Sequence, residues 1–172
     1  IQSKDFKFPG HTDYLKHKAG SHEVLMLMVA ENLKVGVVTA HIPLREVSNS
    51  LSESRILENI RILNKSLIID FNIRKPKIAV LGLNPHAGDN GLIGNEETDI
   101  IIPAIKKANA EGITAMGPYA ADGLFGSKDY VKFDAILAMY HDQGLAPFKA
   151  LSFTSGVNYT AGLPFIRTSP AH

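Results

Sequence analysis

The sequence predicts an α/β fold, because strand-like and helix-like segments alternate along it. Short apolar runs such as KVGVVTA and FDAILAMY are typical of buried strands. The stretch SLSESRILENIRILNKSL, which lies between them, repeats apolar residues at helical spacing. A histidine directly follows each of the two strands, and the carboxyl ends of strands are where open α/β sheets bind ligands.

The first half of the chain contains two predicted strands, EVLMLMVA and KVGVVTA, followed by a long helix. Ser50 and Glu53 have the spacing of a capping box, which predicts that the helix begins there. The apolar residues that recur along it predict its buried face: Ile56, Ile60, Leu63 and Leu67.

Three further strands are predicted after this helix: PKIAVLGL, FDAILAMY and GVNYTAGL. The glycine-punctuated segment NPHAGDNGLIG, which follows the first of these, predicts a loop. Asn95 can cap a second helix, and Gly112 suits the C-terminal end of that helix.

Composition excludes several classes of protein. The 172 residues include 18 basic and 17 acidic side chains, so there is no electrostatic case for binding nucleic acid or an anionic membrane. There is no cysteine, which excludes disulfides, thiolate metal sites and a cysteine nucleophile, and which is compatible with the cytoplasm. No apolar run is long enough to span a bilayer. Because the chain opens on Ile1 rather than Met and stops at TSPAH, we expect 1–172 to be a fragment that lacks its native N-terminus and C-terminus.

Two histidines lie in the same local context. His41 directly follows KVGVVTA, and His141 directly follows FDAILAMY. Three neutral imidazoles can hold a divalent ion and leave positions open for substrate. A histidine at a strand end can equally be an ordinary turn residue. From the residues alone, a third ligand has five candidates: His11, His17, His22, His86 and His172.

Two other features allow anion binding. The glycine loop matches neither the dinucleotide fingerprint nor the Walker A motif, and an ordinary long loop is the simpler interpretation. Lys149, Asn158 and Arg167 lie in a segment otherwise rich in glycine, proline and apolar residues. Such cations can receive a phosphate or a carboxylate, or they can be surface charges.

Six blocks of the sequence resemble the 4-hydroxythreonine-4-phosphate dehydrogenase family of vitamin B6 biosynthesis. They follow the family's order across nearly the whole chain: GHTDYL, TAHIPLREV, LGLNPHAGDNGLIGNEE, GPYAADGLF, LAMYHDQGLAPFK and VNYTAGLPFIRTSPAH. The resemblance implies the two-lobed α/β architecture of the isocitrate and isopropylmalate dehydrogenases, with the active site at the interface of a homodimer.

The resemblance also implies roles for particular residues. It assigns His11, His41 and His141 to a divalent metal, which would be zinc, magnesium or cobalt, shared between the two subunits. Its substrate contacts fall on Lys149, Asn158 and Arg167, and Lys149 could also take part in proton transfer. Asp122, in AADGLF, matches an acid that supports catalysis.

The implied reaction is oxidation of 4-hydroxythreonine 4-phosphate by NAD or NADP, followed by loss of carbon dioxide. A paralogue that oxidises another phosphorylated hydroxy acid, such as a four-carbon sugar acid phosphate, would keep the same catalytic residues. A non-catalytic lobe that only binds metal and ligand is the other alternative.

The chain departs from the family pattern in two blocks. Residues 123–125 read Gly-Leu-Phe where the family usually has Thr-Leu-Phe, and GLAPFKA stands where GLPVLKY is commoner. Neither change replaces a predicted ligand, but both alter residues that could line the pocket. By this resemblance, we expect 1–172 to lack the family's N-terminal lobe and its C-terminal tail, including the glycine run that normally follows TSxxH and that holds the adenine end of the cofactor in related dehydrogenases.

Overall fold

A computed structural model describes Lys18 and residues 23–170, which form a mixed sheet with helices on both faces. The sheet has the strand order β4-β3-β5-β2-β1-β6-β7 within the described residues. The strands are β1 (Leu25–Ala30), β2 (Leu33–Thr39), β3 (Lys77–Leu81), β4 (Thr114–Tyr119), β5 (Ala135–Tyr140), β6 (Val157–Ala161) and β7 (Thr168–Pro170).

The sheet has a parallel half and an antiparallel half. Strands β4, β3, β5 and β2 are neighbours that all pair in parallel. Strand β1 pairs with β2 in antiparallel fashion, β6 pairs with the other side of β1, and β7 pairs with β6, both also antiparallel. The four parallel strands therefore present their carboxyl ends, and the loops that follow them, along one edge.

The helices divide between the two faces of the sheet. Helices α2 and α3 pack in one apolar layer, and α4 and α5 pack in the other. No helix in the described part of the chain is long and apolar enough to cross a membrane. The helices are α1 (Val47–Ser50), α2 (Glu53–Ile69), α3 (Ile102–Ala110), α4 (Ala121–Gly126) and α5 (His141–Ser152).

The five strands predicted from the sequence are all confirmed, but the predicted cap of the long helix is wrong. Ser52, rather than Ser50, caps α2, because its side chain accepts a hydrogen bond from the Arg55 N–H. An N-cap needs an extended backbone, which Ser52 has, with φ −147° and ψ 156°. Ser50 is itself the last residue of the short helix α1.

The next helix ends as predicted, with Gly112 following it at φ +83°, but the predicted cap by Asn95 is wrong, since no side-chain cap forms there. Its first turn, Glu97–Ile101, is a π-helix that runs into α3. This irregular turn brings the Glu97 side chain, which is buried, beneath the glycine loop.

Helix α5 begins at His141, so this strand-end histidine starts a helix and is not the ordinary turn residue that the sequence also allowed. Pro147 and Gly144 are both poor helix formers in general. Gly144 is required here by packing, since a Cβ at this position would lie 2.8 Å from Val35 Cγ1 and 3.1 Å from Ala138 Cβ. The buried side chains of Leu145 and Phe148 then hold the helix against the sheet.

Replacing Gly144 with alanine should destabilise the protein although alanine favours helices. Overpacking against a stiff valine and a fixed alanine costs about 1–3 kcal/mol, which exceeds the gain of roughly 1 kcal/mol in helix propensity. Gly126→Ala is the matched control, because a Cβ added at that helical glycine would have no neighbour within 4 Å. Urea unfolding of both variants measures the difference, and equal stability of the two would contradict this account of α5.

Candidate functional site

The carboxyl edge of the parallel strands brings together four side chains that can carry chemistry. His41 follows β2, His141 follows β5, His86 lies on the loop after β3, and Asp122 lies on α4 after β4. Because the strand order is β4-β3-β5-β2, the three histidines follow three consecutive strands. Adjacent strands lie about 4.8 Å apart, so groups on neighbouring loops are within reach of one another.

His41 and His141 are brought together as their strand positions predicted. Their ring centroids are 5.9 Å apart, and the ring planes are tilted by 45°. His141 Nδ1 lies 2.6 Å from Asp142 Oδ1. If the carboxylate accepts the Nδ1 proton, the ring is held in the tautomer whose Nε2 lone pair is free to bind a metal.

The third predicted ligand, His11, lies outside the described residues. Within the part of the chain that the structure describes, no three His, Asp or Glu side chains are close enough to hold an ion. His86 is the remaining described histidine, and it follows β3, the other neighbour of β5. Its side chain is exposed on a turn with φ +53°, a conformation that is unusual for a residue other than glycine.

The buried carboxylate of Glu97 holds the glycine loop in place. Glu97 is 2% exposed, and its Oε1 accepts hydrogen bonds from the Leu83 and Asn84 N–H groups, both at 2.7 Å. A Cβ at Gly88 would lie 2.6 Å from Glu97 Oε2, so only glycine fits above the carboxylate. Sequence reasoning missed this residue, although an acid just after a glycine loop is a usable signal for such an anchor.

A second carboxylate joins the glycine loop to the segment after β2. Glu96 Oε1 accepts a hydrogen bond from Ser48 Oγ at 2.6 Å, and Oε2 accepts one from Asn84 Nδ2 at 2.8 Å. These two hydrogen bonds hold the pKa of Glu96 below its usual value, with the bond from Ser48 contributing most. The loops that carry His41 and His86 are therefore tied together through one ionised side chain.

Polar side chains also link β2, β5 and β3 at their ends. Thr39 Oγ1 donates to the Met139 carbonyl at 2.8 Å. The Met139 N–H donates to Gln143 Oε1 at 2.7 Å, and Gln143 Nε2 donates to the Gly82 carbonyl at 2.6 Å. Sequence reasoning considered the amide in HDQG only as part of a turn, and the network depends on strand adjacency that the sequence does not reveal.

The predicted substrate residues lie on the α5 side of the sheet. Tyr159 and Ala161 pack in the opposite layer, so Asn158 and Thr160, which alternate with them along β6, face α5. Arg167 Nη1 donates to Thr160 Oγ1 at 3.3 Å. Lys149 lies on α5, which packs against this same face.

Asn158 carries an unusual polar atom. Its Oδ1 is buried and has no hydrogen-bond partner among the described residues. A buried amide oxygen without a donor is costly, by about 1–3 kcal/mol, and such atoms are rare in native structures. A ligand with an N–H or O–H group would satisfy it.

Asp122 lies at the correct edge but is not brought into contact with the histidines. Its Oδ1 accepts a hydrogen bond from the Gly123 N–H at 2.8 Å, within the first turn of α4. Strand β4 is two positions away from β5, so Asp122 and His141 follow strands about 10 Å apart. This separation suits a supporting residue at the rim of the site.

Comparison with known proteins identifies the family. A family model described as "Pyridoxal phosphate biosynthetic protein PdxA" matches residues 1–172. The chain belongs to the PdxA family. Among the curated relatives, a 4-hydroxythreonine-4-phosphate dehydrogenase from Bacteroides thetaiotaomicron is 56% identical over 100% of this chain and 48% of its own length. The chain thus spans about half the length of the curated PdxA relatives that it matches.

Solved structures agree with this membership of the PdxA family. A 4-hydroxythreonine-4-phosphate dehydrogenase from Klebsiella pneumoniae superposes with a TM-score of 0.90 at 43% identity, over 96% of this chain and 50% of that one. A terephthalate 1,2-cis-dihydrodiol dehydrogenase from Burkholderia xenovorans LB400 superposes with a TM-score of 0.83 at 28% identity, over 91% of this chain and 50% of that one. The same mixed α/β sheet therefore occurs in dehydrogenases named for different substrates.

Proposed function

We propose that the full-length protein is a cytoplasmic, metal-dependent enzyme that oxidises 4-hydroxythreonine 4-phosphate with NAD or NADP and releases carbon dioxide. The observation that carries the proposal is the pair of imidazoles, His41 and His141, 5.9 Å apart at the ends of adjacent parallel strands in a PdxA-family chain. The name of the relative at 56% identity supports the choice of substrate.

The separation of the two rings fits a shared metal ion. With metal–nitrogen bonds of about 2.1 Å, each ring centroid lies roughly 3.2 Å from the ion, so tetrahedral geometry puts two centroids about 5.2 Å apart. The observed 5.9 Å differs from that by less than one bond length. Neutral imidazoles suit zinc and cobalt better than magnesium, which prefers oxygen ligands.

The third imidazole is proposed to be His11, which the family resemblance assigns. His86 has no support as a ligand, because His41, His86 and His141 do not form a group close enough to hold an ion within the described residues. Comparing the metal content of His11→Ala with that of His86→Ala tests the assignment, since only His11→Ala should weaken binding.

The chain's own residues orient the metal-binding side chains and fix the loops of the site, while the metal and the cofactor would supply the chemistry. A bound divalent ion would supply Lewis-acid stabilisation of negative charge developing on the substrate's oxygen atoms, and NAD or NADP would accept the hydride. Asp142 orients His141, and Glu97 fixes the glycine loop. These contacts hold the site in shape before the substrate arrives, so little ordering is left to occur during the reaction.

Lys149, Asn158 and Arg167 are proposed to bind the phosphorylated end of the substrate. Lys149 lies eight residues after His141 on the same helix, which is about 12 Å along the helix axis. That distance favours a role in anion binding over proton transfer at the histidines within one chain. The orphaned Asn158 Oδ1 would accept a hydrogen bond from the substrate.

Assembly is proposed to be a homodimer of two-lobed subunits, with the site at the subunit interface. Two apolar side chains beside the histidine loops support this: Leu44 is 71% exposed and Leu92 is 83% exposed. Apolar groups grouped around a polar site are typical of a surface that another protein covers.

A paralogue acting on a different acid is the second candidate. Its support is the dihydrodiol dehydrogenase structure with a TM-score of 0.83, since that protein has the same fold and a differently named substrate. The metal-binding histidines would serve either reaction, so the residues that line the substrate pocket would determine the choice.

The proposed reaction is tested by turnover of the full-length protein. We expect NAD(P)H formation and carbon dioxide release with 4-hydroxythreonine 4-phosphate, and loss of both after treatment with a chelator. A four-carbon sugar acid phosphate serves as the competing substrate in the same assay. Higher kcat/KM for that competitor would support the paralogue, and failure to turn over any phosphorylated hydroxy acid would refute the enzyme proposal.

Mixed dimers test whether subunits share the metal site. His41→Ala and His141→Ala should each abolish metal binding and activity when alone. If each site combines His41 of one subunit with His141 of its partner, a mixed dimer keeps one intact site, so refolding the two variants together should restore about a quarter of the wild-type activity. The 5.9 Å separation within one chain is the observation that weighs against sharing. No recovery would show that each chain supplies both ligands.

Substitution of the predicted substrate residues should lower catalysis without removing metal. Arg167→Lys loses the planar guanidinium fork, and Asn158→Ala loses the orphaned acceptor. Each lost contact should cost about 2–3 kcal/mol in transition-state binding, or roughly 30- to 150-fold in kcat/KM. Steady-state kinetics and metal analysis on the same samples provide the measurement. Unchanged kcat/KM, or loss of metal together with activity, would show that these residues have another role.

A further inference from the structure

The side chain of Gln143 bridges two strands where their backbone pairing has ended. The last backbone pair between β3 and β5 joins Val80 to Leu137. Beyond it, the Gln143 amide accepts from the Met139 N–H at 2.7 Å and donates to the Gly82 carbonyl at 2.6 Å. One side chain therefore continues the connection between β5 and β3 towards the site.

Each group that Gln143 contacts lies next to a functional loop. Met139 is two residues before His141, and Gly82 is the first residue after β3, where the chain enters the loop that contains His86. Gly82 is itself tightly packed, because a Cβ there would lie 2.9 Å from Ala87 Cα. A shift of Gly82 would therefore be transmitted directly to the turn that carries His86.

We infer that Gln143 is a positioning residue, which sets the separation between the β5 strand end and the glycine loop and so holds His141 in place for metal binding. This inference rests on the proposed function. The half-buried amide satisfies a backbone donor and a backbone acceptor at once, so its removal leaves both without their partner in the described structure. The loss would loosen the relation between the loops of His141 and His86.

The chain contains a closely matched bridge at the opposite edge of the sheet. Asn109 Nδ2 donates to the Ala115 carbonyl at 2.9 Å, and Asn109 Oδ1 accepts from the Ala115 N–H at 3.2 Å. The hydrogen bonds of this amide, like those of Gln143, are partly buried and involve a backbone donor and a backbone acceptor of a strand, although Asn109 itself is exposed. The bridge from Asn109 reaches the start of β4, far from the histidine loops. Asn109 therefore stabilises the fold through the same kind of hydrogen bonds as Gln143 but does not position the histidines.

The experiment compares Gln143→Met with Asn109→Leu in the full-length protein. Both replacements keep the approximate volume and remove the two hydrogen bonds, so both should lower the melting temperature by a similar amount. Only Gln143→Met should weaken Co²⁺ binding, by about 10- to 100-fold, and alter the visible absorption spectrum of the bound ion. A third variant, Gln143→Glu, keeps the acceptor for Met139 and lacks the donor for Gly82, so it should resemble Gln143→Met.

Hydrogen exchange in the metal-free protein gives an independent readout. Amides of residues 84–94 should exchange faster in Gln143→Met than in Asn109→Leu, because only the former releases the glycine loop. Equal exchange and unchanged Co²⁺ affinity relative to Asn109→Leu would overturn the inference. If the wild-type protein binds no Co²⁺ while exchange still separates the two variants, the proposed metal site fails and the positioning of the loop by Gln143 stands.

Discussion

The site depends on the position of β5 between β3 and β2. Parallel pairing on both sides aligns the carboxyl ends of three strands, and each strand is followed by a segment that contains a histidine. Backbone hydrogen bonds between the strands fix this alignment. The sheet therefore holds His41 and His141 close together, and no bond between their own side chains is needed. The separation of 5.9 Å between His41 and His141 is close to the spacing of adjacent strands.

Parallel pairing aligns the strand ends but does not fix the loops beyond them. That task falls to polar side chains: Gln143 links β5 to β3, Glu97 holds the glycine loop, and Glu96 ties that loop to the segment after β2. Each hydrogen bond contributes little to net stability, but the buried groups would be costly to leave unpaired. The network therefore restricts the loops to one arrangement.

Helix α5 connects the two parts of the candidate site. It begins at His141 on the carboxyl edge and carries Lys149 towards the face where Asn158 and Arg167 lie. Gly144 allows the helix to lie close against β2 and β5, which fixes the direction of its axis. The same packing that buries Leu145 and Phe148 thus sets the distance between the two histidines and the groups proposed to bind the substrate.

Local apolar patterns and contiguous motifs were enough to predict the α/β class, five strands, the two strand-end histidines and the family. Which strands are neighbours emerged only from the folded chain, and with it the placement of the His86 loop beside that of His141 and of Asp122 further along the edge. The structure also shows that HDQG, residues 141–144, begins a helix. Gly144 allows that helix to pack closely against the sheet and does not form a turn. Strand order and close approach are long-range properties, and no pattern within one segment encodes them.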